Sequence, residues 1–528
     1  MPSLLLPSPP LSNVAGRQGL SLDGQWVFVP DPESVLAISD LNNGTFDSSN
    51  KFSVPGDWNY QRPEWFHYEG PAWFSKVFSY DPVVGRRVFA YLAGADKSVE
   101  FWCNGHGPIG YVNGPGALWV EITDALSEGL NRIVIRGDNK QTSVRSSPGG
   151  LYRSVSIVDV AQTFIRDSWV QLEPNGCELV GELVVDGPEA ANRTVTVRIP
   201  ELGVGSRLIT DSYGQAAVRI DGWPDVWSPE DPRLYRVEWE LAGELLVDDV
   251  GFRVLSIVDG QILLNGELIK LKGVAIEDCA PKSSGRASGS ADSASIVNWV
   301  RELGCNFIDL LAGQPDEALI RACDRGGVLV SCENDLGRKF DASDGWSYSD
   351  TVERLEELVV RDRSRASIIS WNIARTPLSD DGDDVWMPGL LDTVRHLDPH
   401  RLLSANVSSA TDELIPMLDF CRSVITTDTT TFPRLFVFEG TPALLGSRGA
   451  ETILGTEESQ TALLRSFLEL ESEFQSSVGV TIGILKDLAS KRHLRPGLED
   501  GYDRRGLLSE DGVPKDSYRW LSSYNDRH

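Results

Sequence analysis

The sequence predicts a multidomain protein in which two β-sandwiches precede a C-terminal (β/α)8 TIM barrel. A chain of 528 residues is too long for one hydrophobic core and predicts roughly three domains. Up to about residue 255, short alternating apolar runs are separated by Gly, Pro, Asn and Asp, as in antiparallel sandwiches. After about residue 262, short buried strands alternate with amphipathic helices, which is typical of a barrel.

The first part of the chain divides into an arm and two sandwiches. Residues 1–19 begin with MPSLLLPSPPLSN, which lacks the basic region of a signal peptide, so we expect an extended arm and a cytoplasmic protein. Residues 20–162 form the first predicted sandwich and residues 163–258 a second one of immunoglobulin size. The alternating runs that indicate strands are Gln25–Val29, Arg87–Leu92 and Arg132–Arg136, then Glu182–Val185, Thr194–Arg198 and Tyr235–Leu241.

Residues 259–528 contain eight strand candidates with helical crossovers. The predicted strands are Ile269–Val274, Asn306–Leu311, Val328–Cys332, Ile368–Ile373, Leu402–Asn406, Ser423–Thr427, Leu435–Phe438 and Val480–Leu485. Helices are predicted at Ser293–Leu303, Asp316–Arg325 and Asp350–Arg361. Catalytic residues of this fold lie at the C-terminal ends of the strands, so candidate site residues are sought there.

Composition excludes several classes of function. The chain has 49 basic and 77 acidic side chains, a net charge of −28, which argues against nucleic acid or an anionic membrane as partner. No apolar run approaches the roughly 20 residues that span a bilayer. Seven cysteines without a C-x-x-C pair indicate buried free thiols rather than a zinc site. Six histidines and no G-x-S-x-G motif give no support to a Ser/His/Asp hydrolase.

An ordered set of short motifs resembles glycoside hydrolase family two, the β-galactosidase and β-glucuronidase type. The motifs are Leu22–Trp26, Val54–Trp58, Tyr68–Trp73, Asn104-Gly105, Ile122–Leu126 and Gly149–Val155, then Trp227–Tyr235, Gly251–Arg253, Leu264–Gly266, Leu271–Val274, Arg505–Leu508 and Pro514-Lys515. The resemblance implies that the first sandwich is a sugar-binding jelly-roll. It also implies a retaining glycosidase site, with an acid/base and a nucleophile about 5 Å apart. By analogy with the family, the protein is expected to be a homo-oligomer.

The family pattern after the fourth strand is broken at the catalytic acid. The resemblance aligns Ser367–Pro377 with Ser-Ile-Ile-x-Trp-Ser-x-Gly-Asn-Glu-Pro, and Trp371 fixes the frame. Arg375 stands where Asn would hold the sugar 2-hydroxyl, and Thr376 stands where the acid would be. A threonine hydroxyl has no pKa near neutrality and cannot replace a carboxylic acid as proton donor.

The other strand ends keep two family carboxylates and lose most sugar contacts. The resemblance places the nucleophile at Glu439, after the seventh strand, and matches Glu333 after the third. After the first strand, Glu277 replaces a His and Asp278 a Glu. After the second, Asn306 is kept while Asp309, Ala312 and Gly313 replace Arg, His and Tyr, and Gly483 replaces the Trp after the eighth.

These positions give our candidate site. The catalytic candidates are Glu439, Asp278 and Glu333, and the substrate-binding candidates are Arg375, Glu277, Asp309, Asn306, Trp371 and Lys486. Four carboxylates, those of Asp278, Asp309, Glu333 and Glu439, would converge and repel one another. Such a cluster needs Arg375 and Lys486 as counter-charges, shared protons, or a Mg²⁺ or Ca²⁺ ion, although no motif requires a cofactor.

Two hypotheses of function remain open. In the first, the chain is a pseudo-glycosidase that keeps the fold for carbohydrate or glycoconjugate binding, or for assembly. In the second, it is an active or repurposed enzyme that uses Glu439 with a rewired carboxylate set, which an activated leaving group would favour. A conventional site with a shifted alignment is disfavoured by the fit around Trp371. The partner in every case is a carbohydrate or a glycosylated small molecule.

Overall fold

The computed structural model has the predicted fold class, with two sandwiches followed by a closed eight-stranded barrel. It describes residues 11–17, 19–39, 50–95, 98–113, 116–140, 149–277, 289–311, 314–333, 345–374, 387–407, 415–423, 432–490 and 493–527. Among these residues, no helix is long and apolar enough to cross a membrane. The described cysteines are free thiols, and all but Cys177 are buried.

The first sandwich consists of a four-stranded and a six-stranded antiparallel sheet around an aromatic core. Alternation positions one face of each strand inside, so that Trp26, Phe28 and Phe74 are buried around Trp58. In spatial order the strands are Gly19–Ser21, Val155–Ala161, Arg86–Ala95 and Gly116–Glu121, then Lys51–Val54, Gly24–Pro30, Pro71–Ser79, Leu130–Asp138, Ser98–Cys103 and His106–Asn113.

The second sandwich has a three-stranded and a four-stranded antiparallel sheet, the size predicted for an immunoglobulin-like unit. Its strands, in spatial order, are Phe164–Leu172, Glu178–Asp186 and Gln215–Asp221, then Val204–Ile209, Thr194–Ile199, Tyr235–Leu241 and Glu244–Val250. A small antiparallel sheet follows, with strands Leu255–Val258, Gln261–Leu264 and Glu267–Leu268. Asn265 and Gly266 make its turn, both with positive φ (56° and 83°), as an Asn-Gly hairpin requires.

The barrel strands are all parallel and close on themselves. We number them β1 to β8, with bounds Leu271–Ile276, Phe307–Leu310, Leu329–Glu333, Ile368–Asn372, Leu402–Asn406, Phe420–Ser423, Arg434–Phe438 and Ser477–Ile484. The described helices of this region, α1 to α6, are Gly289–Glu302, Glu317–Gly326, Gly345–Asp362, Met387–Leu397, Glu457–Glu471 and Asp516–Asn525. Outward apolar residues such as Val274, Ile308 and Phe436 pack with these helices in the largest core.

The sixth strand differs from its prediction. We expected Ser423–Thr427, whereas β6 is Phe420–Ser423, and residues 424–427 lie outside the described part of the chain. The β-branched run Val424–Thr427 suggested a strand, but the preceding segment contains an arginine, a residue uncommon in a barrel interior. The strand therefore begins three residues earlier than predicted and includes Arg422, whose side chain lies inside the barrel.

The barrel interior changes from apolar to polar along its axis. At the N-terminal end, eight inward apolar side chains pack on Ile262 and Leu264 of the small sheet. They are Leu271, Phe307, Leu329, Ile369, Leu402, Phe420, Leu435 and Val478. Further along the strands the inward positions are polar, and the hydroxyl of Ser370 donates to that of Ser331 over 2.8 Å. Burial of the apolar side chains stabilises the N-terminal end of the barrel. The polar layer lies toward the C-terminal ends of the strands, where this fold carries its sites.

Buried arginines attach the second sandwich to the barrel. Arg363 pairs with Asp167, Arg365 pairs with Asp248, and Arg253 donates to the carbonyls of Ala366 and Ile368. The Trp227 indole N–H donates to the Asp324 carbonyl over 2.8 Å. These bonds satisfy polar groups that water does not reach, so they fix the sandwich against one side of the barrel.

His400 lies at this contact, and its burial is expected to make the stability depend on pH. Its Nε2 is 3.9 Å from Glu173 Oε1, and burial lowers its pKa below 6.5, against the opposing effect of Glu173. At this residue the folded state therefore binds fewer protons than the unfolded state. The free energy of unfolding is for this reason expected to decrease as pH falls below 6.5. We expect His400→Gln to show a smaller fall in melting temperature than wild type between about pH 7.5 and pH 5. The matched control is His67→Gln, at an exposed histidine, and equal falls in wild type and His400→Gln would contradict the prediction.

Candidate functional site

Glu439 lies at the open end of the barrel, immediately after β7. Phe436 and Phe438 point outward, because their rings contact Phe474 and Phe467 at centroid distances of 4.9 Å and 5.0 Å. Alternation therefore gives Glu439 an inward register at the C-terminal end of the strand. Its side chain is 72% exposed, so the carboxylate is accessible from solvent.

Among the described residues, Arg505 is a cation at this open end of the barrel, the barrel mouth. Its Nη1 lies 3.9 Å from Glu439 Oε2 and donates to the Glu439 carbonyl over 3.3 Å. Asp503 orients the guanidinium by accepting from Nη2 at 2.7 Å and from Nε at 3.0 Å. The hydrogen bonds to Asp503 raise the pKa of Arg505, and the charges of Glu277 and Glu439 add to this effect. The Arg505 guanidinium therefore interacts electrostatically with two carboxylates, Glu277 after β1 and Glu439 after β7.

Asp309 and Glu333 do not reach the mouth, because Arg422 holds both of them inside the barrel. Arg422 Nη2 pairs with Asp309 Oδ2, and Nη1 lies 2.9 Å from Glu333 Oε2. The Asn372 amide also donates to Glu333 Oε2 over 3.1 Å. All four side chains are buried. Of the expected counter-charges, Arg375 lies outside the described residues. Arg422, which was not among the candidates, supplies positive charge to this pair of carboxylates.

Two further candidates are not brought to the mouth. Trp371 points outward from β4, where its indole N–H donates to Asp398 Oδ2 over 3.0 Å and its ring lies below Arg401. Asn306 directly precedes β2 and binds backbone at the opposite end of the barrel, accepting from Lys272 N and donating to Lys270 O. Both residues match the family pattern because they shape the fold.

The remaining candidates divide between the mouth and the part of the chain that is not described. Glu277 is half-buried after β1 and acts on Arg505, whereas Lys486 is buried two residues after β8. Asp278, Arg375 and Thr376 lie outside the described residues.

Gly483 on β8 lies against the end of β7. A Cβ there would lie 2.6 Å from the Glu439 carbonyl oxygen and 3.0 Å from that of Phe438. Any side chain at this position would have to displace backbone at the end of β7. The Trp that the resemblance leads one to expect has no room while Glu439 keeps this position.

The first sandwich contributes to the surroundings of the mouth. A short hairpin of the barrel, with strands Leu488–Ala489 and Tyr502–Asp503, carries Asp503. The Tyr60 hydroxyl donates to the Ala489 carbonyl over 3.3 Å, and His493 Nε2 lies 3.7 Å from Asp503 Oδ2. The sequence analysis did not include Arg505 and Asp503 among the candidates, because the family tail motif Arg505–Leu508 was interpreted as structural. The signal for a site residue was a charged side chain directly before Gly506.

The described ranges contain no cluster of side chains that supports metal binding. Within them, no group of three or more His, Cys, Asp or Glu side chains is arranged to hold a metal ion. The two buried carboxylates of Asp309 and Glu333 are both paired with Arg422, and Glu439 has Arg505 beside it. Arginine therefore supplies the positive charge at these positions.

Two sandwiches followed by a barrel are the architecture of the three-domain β-glycosidases, and this chain has that fold. No family model matches the chain. A β-galactosidase of Arthrobacter sp. (strain B7) is 27% identical over 409 residues, which cover 67% of this chain and 40% of that protein. The chain spans about half or less of the length of the curated relatives it matches, 41%, 50% and 40% for three of them.

Solved structures match over nearly the whole chain. The β-D-glucuronidase of Dictyoglomus thermophilum has a TM-score of 0.80 and 18% identity, with 99% of each chain covered. The β-glucuronidase of Bifidobacterium dentium, solved with coumarin-3-O-glucuronide, has a TM-score of 0.83 and 18% identity, with 98% of each chain covered. At this identity the structures establish the shared fold. The resemblance to glycoside hydrolase family two that the motifs indicated is confirmed at low identity.

Proposed function

We propose that this protein is a pseudo-glycosidase that binds a carbohydrate or a glycosylated small molecule at the barrel mouth without hydrolysing it. A retaining mechanism needs two accessible carboxyl groups about 5 Å apart. The proposal rests on the burial of Glu333 and Asp309, which are bound to Arg422, while Glu439 is exposed. The hydroxyl of Thr376, at the expected position of the acid, is too weak an acid to protonate a leaving group near neutral pH.

The groups at the mouth suit recognition of a polyhydroxylated ligand. Glu439 and Glu277 accept hydrogen bonds, and the Arg505 guanidinium is a donor already oriented by Asp503. Charge-assisted hydrogen bonds to sugar hydroxyls are stronger than neutral ones, so a small set of such groups can hold one sugar. The names of the relatives make β-galactosides and β-glucuronides the first sugars to test.

A second candidate function is slow hydrolysis of activated glycosides by Glu439. The specific observation in its favour is that Glu439 is exposed at the inward register of the seventh strand end. Removal of an acid catalyst typically costs about 10² to 10⁴-fold, and a good leaving group needs little protonation. This candidate requires turnover that depends on Glu439.

The two candidates are separated by one set of assays. We expect wild-type protein to bind β-galactoside or β-glucuronide ligands by calorimetry, and to release no more 2,4-dinitrophenol from the matching aryl glycosides than the Glu439→Gln variant does. The matched control is Glu267→Gln, at an exposed glutamate in the small sheet near the N-terminal end of the barrel. Turnover by wild type and Glu267→Gln that is lost in Glu439→Gln would overturn the pseudo-glycosidase proposal. Absence of binding to any sugar would contradict both candidates.

A further inference from the structure

A cavity lies away from the mouth, on the outside of the barrel near its N-terminal end. It has a volume of about 160 Å³ and is bounded by β1, β8, and the C-terminal ends of α5 and α6. A molecule of liquid water occupies about 30 Å³, so the cavity has room for roughly five waters or for one small organic molecule. Its floor includes Leu468 and Ile482, which belong to the core between the barrel and its helices.

The charges of this cavity leave one ammonium group without a counter-ion. Lys270 Nζ is 2.9 Å from Glu471 Oε1, so these two lining residues neutralise each other. Lys272 alternates with the inward residue Leu271 and therefore points toward the helices. It is half-buried and has no ion pair within the described ranges, although acidic side chains outnumber basic ones by 77 to 49. A half-buried cation without a carboxylate partner among the described residues is available to an external anion, which the cavity beside it has room to hold.

The other polar groups of the lining do not supply that anion. Cys305 lies close enough to Lys272 to feel its charge, but burial raises the pKa of this thiol to about 12, so it is neutral at physiological pH. The Asn525 amide donates to the Leu303 carbonyl over 2.8 Å and to Cys305 Sγ over 3.7 Å. Burial and the charge of Glu471 raise the pKa of Tyr524, so its phenol also stays neutral.

We propose that this cavity binds a small organic monocarboxylate, with the carboxylate on Lys272 and the apolar body on Leu468 and Ile482. One uncompensated positive charge matches one carboxylate, whereas an inorganic phosphate carries more charge and has no apolar surface to place on the floor. The site is separate from the barrel mouth, and its occupancy does not depend on whether glycosides are hydrolysed.

Calorimetric titration with benzoate tests the proposal on the full chain. We expect benzoate to bind wild type, and Lys272→Met to weaken that affinity by about tenfold or more, because a charge-assisted contact is removed. Benzamide, the neutral analogue, is expected to bind wild type about tenfold more weakly than benzoate. Lys272→Arg keeps the charge and is expected to retain binding, and Lys51→Met, at an exposed lysine of the first sandwich, is the matched control.

Three results would overturn this proposal. They are benzoate affinity unchanged in Lys272→Met, benzamide binding as tightly as benzoate, and inorganic phosphate binding where benzoate does not. Melting temperatures of each variant without ligand show whether a lost signal reflects unfolding. Lys272→Arg, as the conservative variant, keeps the result interpretable if Lys272→Met is unstable.

Discussion

Replacing Arg422 by methionine is expected to destabilise the barrel by about 3 to 5 kcal/mol. The substitution removes the guanidinium that binds the buried carboxylates of both Asp309 and Glu333, and a buried charge that loses such a partner is costly. We expect the barrel transition in differential scanning calorimetry to fall steeply in temperature, or the variant to be recovered unfolded.

The prediction has a rescue and a matched control. The triple variant Arg422→Met, Asp309→Asn, Glu333→Gln removes these three buried charges together, so most of the lost stability is expected to return. Arg198→Met removes an arginine from an exposed pair, in which Nη1 is 3.0 Å from Glu240 Oε2, and is expected to cost less than about 1 kcal/mol. An Arg422→Met variant as stable as Arg198→Met would show that the buried carboxylates are held protonated rather than by Arg422.

The fold could be predicted from the sequence because its signals are local and repeated. Alternation of apolar residues, turn residues between strands, and the change to β-α units after the sandwiches each indicate one layer of structure. The start of the sixth barrel strand was predicted three residues too late, because the β-branched run Val424–Thr427 outweighed a segment that contains Arg422. A buried arginine is anomalous by local pattern and becomes intelligible only once Asp309 and Glu333 are seen to face it.

The candidate site was predictable only in part, because the charged groups that complete it come from distant segments of the chain. Glu439 follows from its place after an apolar strand, since barrel geometry brings strand ends together. The positive charge beside it comes from Arg505, 66 residues further along the chain, and the orienting carboxylate comes from Asp503. Trp371 and Asn306 were assigned to the ligand because they match the family pattern, whereas their contacts are with Asp398 and with backbone. Contacts between distant segments are not encoded in local spacing.

Lys515 is the second residue whose replacement is expected to lower the stability of the protein strongly. Its ammonium is fully buried and uses all three protons, which donate to Asp487 Oδ1 at 2.7 Å, the Ala443 carbonyl at 2.8 Å and the Arg504 carbonyl at 3.0 Å. Ala443 follows Glu439 by four residues, and Arg504 directly precedes Arg505. Lys515 therefore connects, through hydrogen bonds, the segment after Glu439 and the segment that carries Arg505.

We expect Lys515→Met to lower stability by about 3 to 5 kcal/mol at neutral pH, because it leaves the Asp487 carboxylate buried beside fewer positive charges. Burial already raises the pKa of Asp487 to about 6, against the opposing charge of Lys515, and loss of that charge raises it further. A folded-state pKa above the unfolded value favours the folded protein at low pH, and this contribution disappears as pH rises through it. The stability gap between wild type and Lys515→Met is therefore expected to be narrower at about pH 5 than at about pH 8.

Denaturant unfolding of both proteins at several pH values measures this gap. Lys76→Met is the matched control, since its exposed ammonium donates to the Gln25 carbonyl over 3.0 Å and pairs with no buried charge. Adding Asp487→Asn to Lys515→Met removes the titrating carboxylate, so the double variant is expected to regain stability at neutral pH and to lose the pH dependence. A gap that widens on acidification would mean that Asp487 stays ionised without Lys515, held by Arg504 and by the Gly506 amide that donates to it over 2.9 Å.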